Sequence, residues 1–239
     1  MKRPMIVGIT GGIGSGKSYV CQLLKAQGIP VYSCDTEAKR LMVDNADIVA
    51  QLRELLGEEA YVGDGTLSLN KPLIANYLFA SPDHAARINA IVHPHVRHDM
   101  EAWAARQQCD IVLVESAILV EAGLLDAVDF VIMVDAPQEL RLERVMQRDA
   151  AHCNQVLARM RRQMQAGDLR QYADFVILND GEADLQAQIA DCRAAIQKKK
   201  ESINQYHHHY VEENFSHSRQ TGTLSVRFAR QPYADCRIH

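Results

Sequence analysis

Lys17 and Ser18 carry the plainest chemistry in the 239-residue sequence. They close the run Gly11-Gly12-Ile13-Gly14-Ser15-Gly16-Lys17-Ser18, in which Gly11, Gly16, Lys17 and Ser18 satisfy the phosphate-loop pattern G-x-x-x-x-G-K-[ST]. Glycine lets the backbone wrap tightly through conformations closed to other residues. The loop amides then converge on a polyphosphate, and a helix starting near Lys17 adds the positive end of its dipole. Lys17 supplies a point charge for the β- and γ-phosphates, and the Ser18 hydroxyl is the expected Mg²⁺ ligand. The chemistry implied is the binding of a nucleoside triphosphate and, with an acceptor, transfer of its terminal phosphoryl group.

Other residues of chemical interest sit at the ends of apolar runs. Asp35 follows Ile29 to Cys34 and precedes a helical pattern at Thr36 to Val43, so it stands where a strand gives way to a helix. In an open α/β sheet that edge is where ligands bind; an N-capping role suits the position equally. Glu115 closes Asp110 to Val114 and could support Mg²⁺ through water, or act as a structural acid near the loop. Asn179 follows Asp174 to Leu178; its amide could read an adenine edge, or serve the Asn179-Asp180-Gly181 turn. Arg141, Arg144 and Arg148 fall at i, i+3 and i+7 on one helix face, followed by Arg159, Arg161 and Arg162. Singly, each suits a solvated face. As a set beside a phosphate loop, they suit a mobile lid that closes cations over the transferring phosphoryl. His93 and His95 have no third ligand at a recognisable spacing, so a substrate-side or structural role is expected rather than metal.

The elements that must position these residues follow from the pattern. Apolar runs at 5–9, 29–35, 110–115, 130–135 and 174–178 predict a five-stranded parallel sheet of the α/β class, flanked by helices. Residues 46–106 read as helical, at 48–56, 71–79 and 82–106, with no core strand, which suggests a helical lobe inserted between the second and third strands. Residues 116–121 lead into a short helix closed by Gly123, and a helix over 183–196 follows the last strand. The expected organisation is a domain over 1–197, with the inserted lobe at 46–106 and a helical lid at 138–172. Residues 198–239 carry a lysine run and a histidine run without sustained periodicity, and read as an added, partly disordered tail in which 223–229 alternates enough for a strand.

Bulk composition excludes some classes. A net charge of −4 gives no support to nucleic acid as a partner. No apolar run approaches the ~20 residues that span a bilayer, so no membrane partner is expected. The six cysteines are scattered with no C-x-x-C pair, which suits reduced thiols in the cytoplasm. A monomer or weak homo-oligomer is expected.

With these pieces in hand, the chain resembles the dephospho-coenzyme A kinase family over roughly residues 4–197. The specific pieces are Ile9 to Ser18, Cys34-Asp35 to Arg40, His93-Pro94-His95-Val96, and the helix Gln138 to Asp149. The resemblance implies a P-loop NTPase-type fold with a helical substrate lobe and lid. It implies phosphorylation of the ribose 3′-hydroxyl of dephospho-coenzyme A by ATP with Mg²⁺. Asp35 is then the base for that hydroxyl. Arg144 and Arg148 are lid arginines stabilising charge on the phosphoryl, and Thr10 is a residue near the active site. Gly11, Gly12, Gly14, Ser15, Gly16, Lys17, Ser18 and Tyr19 form the nucleotide loop, with Asn179 on the adenine side. Arg40, His93 and Glu121 fall on the acceptor side. The sequence departs from the family pattern at Ser33, where an acid is usual, at Tyr19, where threonine is usual, and in the loose 116–121 segment.

Two rival readings share features with this one. Another small-molecule kinase, acting on a nucleoside or nucleotide, would share the loop and lid. A regulatory protein that binds ATP without phosphoryl transfer would share the loop alone, and the intact Asp35 and arginine set argue against it. The guanine motif Asn-Lys-x-Asp is absent, which disfavours a GTPase.

Overall fold

Strand β1 (Met5–Thr10) is buried at all six positions, which is why its sequence is an apolar run with no alternation. In the computed structural model, which describes the backbone of residues 3–63 and 67–221, β1 lies at the centre of a parallel five-stranded sheet. The strand order is β2 (Val31–Ser33), β5 (Ile111–Glu115), β1, β6 (Phe130–Asp135), β7 (Phe175–Leu178). Met5 registers with Ile111, and Val7 with Phe130. All five strands run the same way, so Thr10, Ser33, Glu115, Asp135 and Leu178 end on one edge. The chain leaves β1 toward β2 on one side and later returns to fill β6 and β7 on the other, so that edge beside β1 is the sheet's switch point.

Helix α1 (Lys17–Ala26) starts directly from the phosphate loop and buries Val20, Cys21 and Leu24. Helix α2 (Cys34–Asp44) begins one residue after β2, and Asn45 ends it while capping α3 (Ala46–Leu56), its Oδ1 accepting from the Asp47 and Ile48 amides. Helices α4 (Lys71–Ala80) and α5 (Pro82–Ala105) complete the expected helical region, starting at caps Asn70 and Ser81. Ile48 and Leu52 of α3 and Ile88, Val92, Val96 and Met100 of α5 share one hydrophobic cluster with Ile6, Val112 and Val114 of the sheet. Each such fully buried aliphatic side chain stabilises the fold by about 1.5–3 kcal/mol relative to exposure. The 46–106 region therefore extends the sheet's own core.

Helices α6 (Gln138–Asp149), α7 (Cys153–Met160) and α8 (Ala166–Arg170) fill the expected lid region. A separate small cluster forms there, in which Val145, Val156 and Met160 pack with Leu142, Met146 and Leu157 and with Ile13 of the phosphate loop.

Two expectations need correction, and one feature is added. A two-stranded ribbon, β3 (Tyr61–Val62) with β4 (Ser68–Leu69), lies apart from the core sheet inside the region read as mostly helical; strands of two residues are too short for alternation to register. Residues 117–123 form successive turns rather than a helix. Gly123, at φ 67°, stops them early, with the Gly123 and Leu124 amides returning to the Val120 and Leu119 carbonyls. Finally, the last helix, α9 (Leu185–Thr221), does not end at Ile196 but continues through the lysine run. Residues 185–221 contain no glycine or proline and are rich in Gln, Lys, Glu and Ala, so propensity carries the helix where periodicity fades. The strand expected at 223–229 lies outside the described residues. The chain divides into a unit at 1–188 and a second at 189–239, and α9 runs through both.

Candidate active site

Gly11, Gly14 and Gly16 take φ values of 141°, 81° and 93°. At Gly11 a Cβ would stand 2.1 Å from the Val134 carbonyl oxygen, so both conformation and space demand glycine. The loop wraps Lys17, whose ammonium is buried and donates to the Gly11 carbonyl at 2.7 Å and the Gly12 carbonyl at 3.3 Å. Burial pushes the Lys17 pKa down, and the negative charges of Glu115 and Asp35 oppose that shift. A cation held beside carbonyls in a dry loop is poised to meet phosphate oxygens. Thr10 and Ser15 flank the loop with buried hydroxyls that have no hydrogen-bond partner, while Tyr19 is exposed.

Ser18, the first residue after Lys17 in α1, donates its hydroxyl to a Glu115 carboxylate oxygen at 2.6 Å. Two hard oxygens meet here at the sheet edge, a donor set suited to Mg²⁺ with phosphate oxygens and waters filling its other positions. No cluster of three or more His, Cys, Asp or Glu side chains suited to a metal occurs among the described residues, so a cation here would depend on the nucleotide.

Asp35 lies in the first turn of α2, just past the end of β2. It lines a narrow cleft with His93 of α5 and with Ser116 and Ile118 of the segment after β5. Burial lowers the His93 pKa, which favours the neutral imidazole. Cys34, in the same cleft, has its thiol pushed up to about 12 by burial and by the charge of Asp35, so it stays protonated. Arg40 is turned away to acids: it donates to Asp99 at 3.0 Å and pairs with Glu37. Asp99 also accepts from the Tyr32 hydroxyl at 2.7 Å. Arg97, close after the histidines, grips Asp126 through two 2.9 Å bonds, so the end of that motif fastens α5 to the chain after β5.

The lid arginines divide by partner. Arg144 donates to the Asn179 carbonyl at 2.9 Å. Arg148 and Arg159 both bind Asp149, whose carboxyl they hold well below the usual range. Arg141 lays its guanidinium against Gly12, where a Cβ would collide with it. Asn179, expected at the adenine, spends its amide donor on the Ser15 carbonyl at 2.8 Å and so clamps the loop to β7. Glu121, expected on the acceptor side, accepts from the Met164 amide at 2.9 Å. Gln163 was not visible from sequence: its Oε1 accepts from the Ile13 amide at 2.7 Å and its Nε2 donates to the Ala117 carbonyl at 3.3 Å. These partners lie 150 and 46 residues away, and no local spacing announces them.

A glycine loop wrapping a buried lysine at the switch point of a parallel sheet, with a cleft holding one carboxylate and an arginine-rich helical segment beside it, defines a P-loop kinase. The family model for dephospho-CoA kinase matches residues 5–184. A dephospho-CoA kinase of Bacteroides fragilis is 46% identical over 194 residues, covering 81% of this chain and 93% of that protein. One from Salinibacter ruber is 43% identical over 178 residues, covering 73% and 88%. Among solved structures, TT1252 from Thermus thermophilus matches with a TM-score of 0.70 at 33% identity, over 83% of this chain and 98% of that one. Dephospho-CoA kinase from Campylobacter jejuni, at 20% identity and TM-score 0.57, shares the fold over 82% of this chain and 98% of its own. The chain belongs to the dephospho-CoA kinase family.

Proposed function

We propose that this chain transfers the γ-phosphoryl group of ATP to the ribose 3′-hydroxyl of dephospho-coenzyme A, giving coenzyme A and ADP. Beyond family membership, one observation carries the reading. Asp35 stands at the same sheet edge as Lys17 and the Ser18–Glu115 pair, close enough for its charge to act on Lys17, and it is an exposed carboxylate on the rim of the cleft that His93 also lines.

The residue roles follow from that arrangement. The loop amides other than those of Ile13 and Ser15, which bond to Gln163 and to the Gly12 carbonyl, cradle the phosphates, and Lys17 exchanges its carbonyl partners for β- and γ-oxygens. Thr10 and Ser15 bring unpartnered hydroxyls to the loop's base. Ser18, with Glu115 behind it, would hold Mg²⁺, which would neutralise charge on the phosphates. Asp35 orients the acceptor hydroxyl and accepts its proton as the new P–O bond forms. In a loose transition state that proton leaves late, so positioning and charge neutralisation carry most of the rate. Arg144 and Arg148 close over the transferring group. Asn179 and Tyr19 border the nucleotide, while His93, Arg40 and Glu121 border the acceptor. Neutral His93 offers a hydrogen bond without adding charge to a cleft that receives an anionic substrate.

Residues 46–106 hold the acceptor and 138–172 act as the lid, within a kinase domain over 1–197. We assign the enzyme to the cytoplasm as a monomer or weak homo-oligomer. The described cysteines are all free, and no helix among the described residues is long and apolar enough to cross a membrane.

The test is ADP release from ATP·Mg²⁺ with and without dephospho-coenzyme A, with the product weighed. Acceptor-dependent release with a product one phosphate heavier is expected. Turnover that appears only with a different nucleoside or nucleotide acceptor would transfer the assignment to that acceptor.

A further inference from the structure

Gln163 touches both halves of the site. Its carbonyl oxygen accepts from the amide of Ile13, inside the phosphate loop. Its amide nitrogen donates to the carbonyl of Ala117, on the segment whose Ser116 and Ile118 wall the Asp35–His93 cleft. The next residue repeats the second attachment, the Met164 amide binding the Glu121 carboxylate. Ile13 is held twice as well: its side chain is packed into the lid's hydrophobic cluster beside Val145 and Met160. One loop residue thus belongs to the lid by its side chain and to Gln163 by its amide.

A primary amide suits this position because it accepts at one atom and donates at another. No acidic side chain does both when ionised, and no aliphatic one does either. The lid's own hydrophobic cluster is small, and Arg148 and Arg159 are held by exposed ion pairs to Asp149, which contribute little and lie within the lid itself.

We propose that Gln163 is a positioning residue that seats the lid on the donor loop and on the acceptor wall together, so that phosphoryl transfer to the acceptor is favoured over transfer to water. This rests on the kinase reading above. With Gln163 in place, closure of the lid brings Ala117 and the acceptor wall into register with Ile13 and excludes water from the γ-phosphate. Without it, the loop still binds ATP, but the lid closes without reference to the acceptor wall. Water then takes the place of the acceptor hydroxyl, giving ADP and inorganic phosphate.

The experiment measures ADP, inorganic phosphate and phosphorylated product together, for wild type, Gln163→Ala and Gln163→Glu. Wild type is expected to form one product per ADP. For Gln163→Ala we expect kcat for product to fall about 10-fold, KM for ATP to change less than about threefold, and more than one ADP to form per product, with the excess recovered as inorganic phosphate. Gln163→Glu keeps an acceptor for the Ile13 amide but loses the donor to Ala117, and should fall between the two. Should Gln163→Ala not fold, Glu121→Gln weakens the adjoining contact to Met164 and should show a smaller excess of ADP. An ADP-to-product ratio of one in every folded variant overturns the proposal, whatever kcat does. Failure of wild type to phosphorylate dephospho-coenzyme A would instead strike the kinase reading itself.

Discussion

The phosphate loop and the lid face each other across the same site but are built by opposite means. The loop is made of backbone: glycines at positive φ and a lysine satisfied by carbonyls five and six residues away. The lid is made of side chains reaching far along the chain, Gln163 to Ile13 and Ala117, and Arg144 to the Asn179 carbonyl. The loop is consequently rigid, and readable from eight consecutive letters. The lid region reaches its geometry through separate hydrogen bonds of about 1 kcal/mol each.

That contrast predicts a hierarchy of damage. The largest loss should come from the loop's backbone. Gly11→Ala places a Cβ 2.1 Å from the Val134 carbonyl oxygen in a conformation that disfavours side chains. ATP affinity measured by calorimetry should fall about 100-fold or more, equivalent to about 2.8 kcal/mol. Gly28 also has positive φ but nothing within 4 Å, so Gly28→Ala should leave ATP affinity unchanged and sharpen the comparison. If both glycine variants bind ATP alike, the loop is less constrained than its geometry indicates.

The lid should fail differently. Arg148→Ala should lower kcat by about 10²-fold, the range for losing one preorganised charge donor, with ATP affinity within about threefold of wild type. An equal loss in affinity and turnover would make Arg148 a ground-state binder rather than a lid residue acting on the transition state.

Asn179 joins the two regions, its amide on the loop at Ser15 and its carbonyl under Arg144. Asn179→Ala removes the amide bond and should cost about 1 kcal/mol, seen as a fall of about 2–4 °C in Tm. Saturating ATP should recover part of that loss, because nucleotide holds the same loop.

The smallest effect belongs to the cleft that Asp35 and His93 line. Burial holds His93 below the ordinary imidazole range, so the unfolded chain binds a proton first as pH falls. Stability present above about pH 6.5 should decline as pH drops through that value and level off once the folded-state group titrates. Denaturant titrations over this range should show a slope that His93→Gln flattens; an unchanged slope would assign it to other groups.

How much of this was legible follows the same division. The turn over Gly11 to Ser18, the place of Asp35 just past β2 and the five sheet strands were readable because each signal is local: a turn, an acid at the end of a run, an apolar run. The β3–β4 ribbon was missed because two-residue strands have no period. Asn179 was placed at the correct edge, but its clamp on Ser15 spans 164 residues and has no local trace. Glu121 was expected to bind the acceptor, and its bond to the Met164 amide spans 43 residues, which leaves no local trace either. The extension of α9 past Ile196 was hidden because helix propensity without amphipathicity leaves no pattern to follow.

The most direct measurement separates donor from acceptor chemistry at Asp35. For Asp35→Asn we expect ATP to bind within about twofold of wild type, since the loop is built without that carboxylate. Turnover on dephospho-coenzyme A should fall by about 10² or more, the range for removing a general base. Asp35→Asn turning over at the wild-type rate would contradict the division of the site into a backbone-built donor loop and a carboxylate-directed acceptor edge.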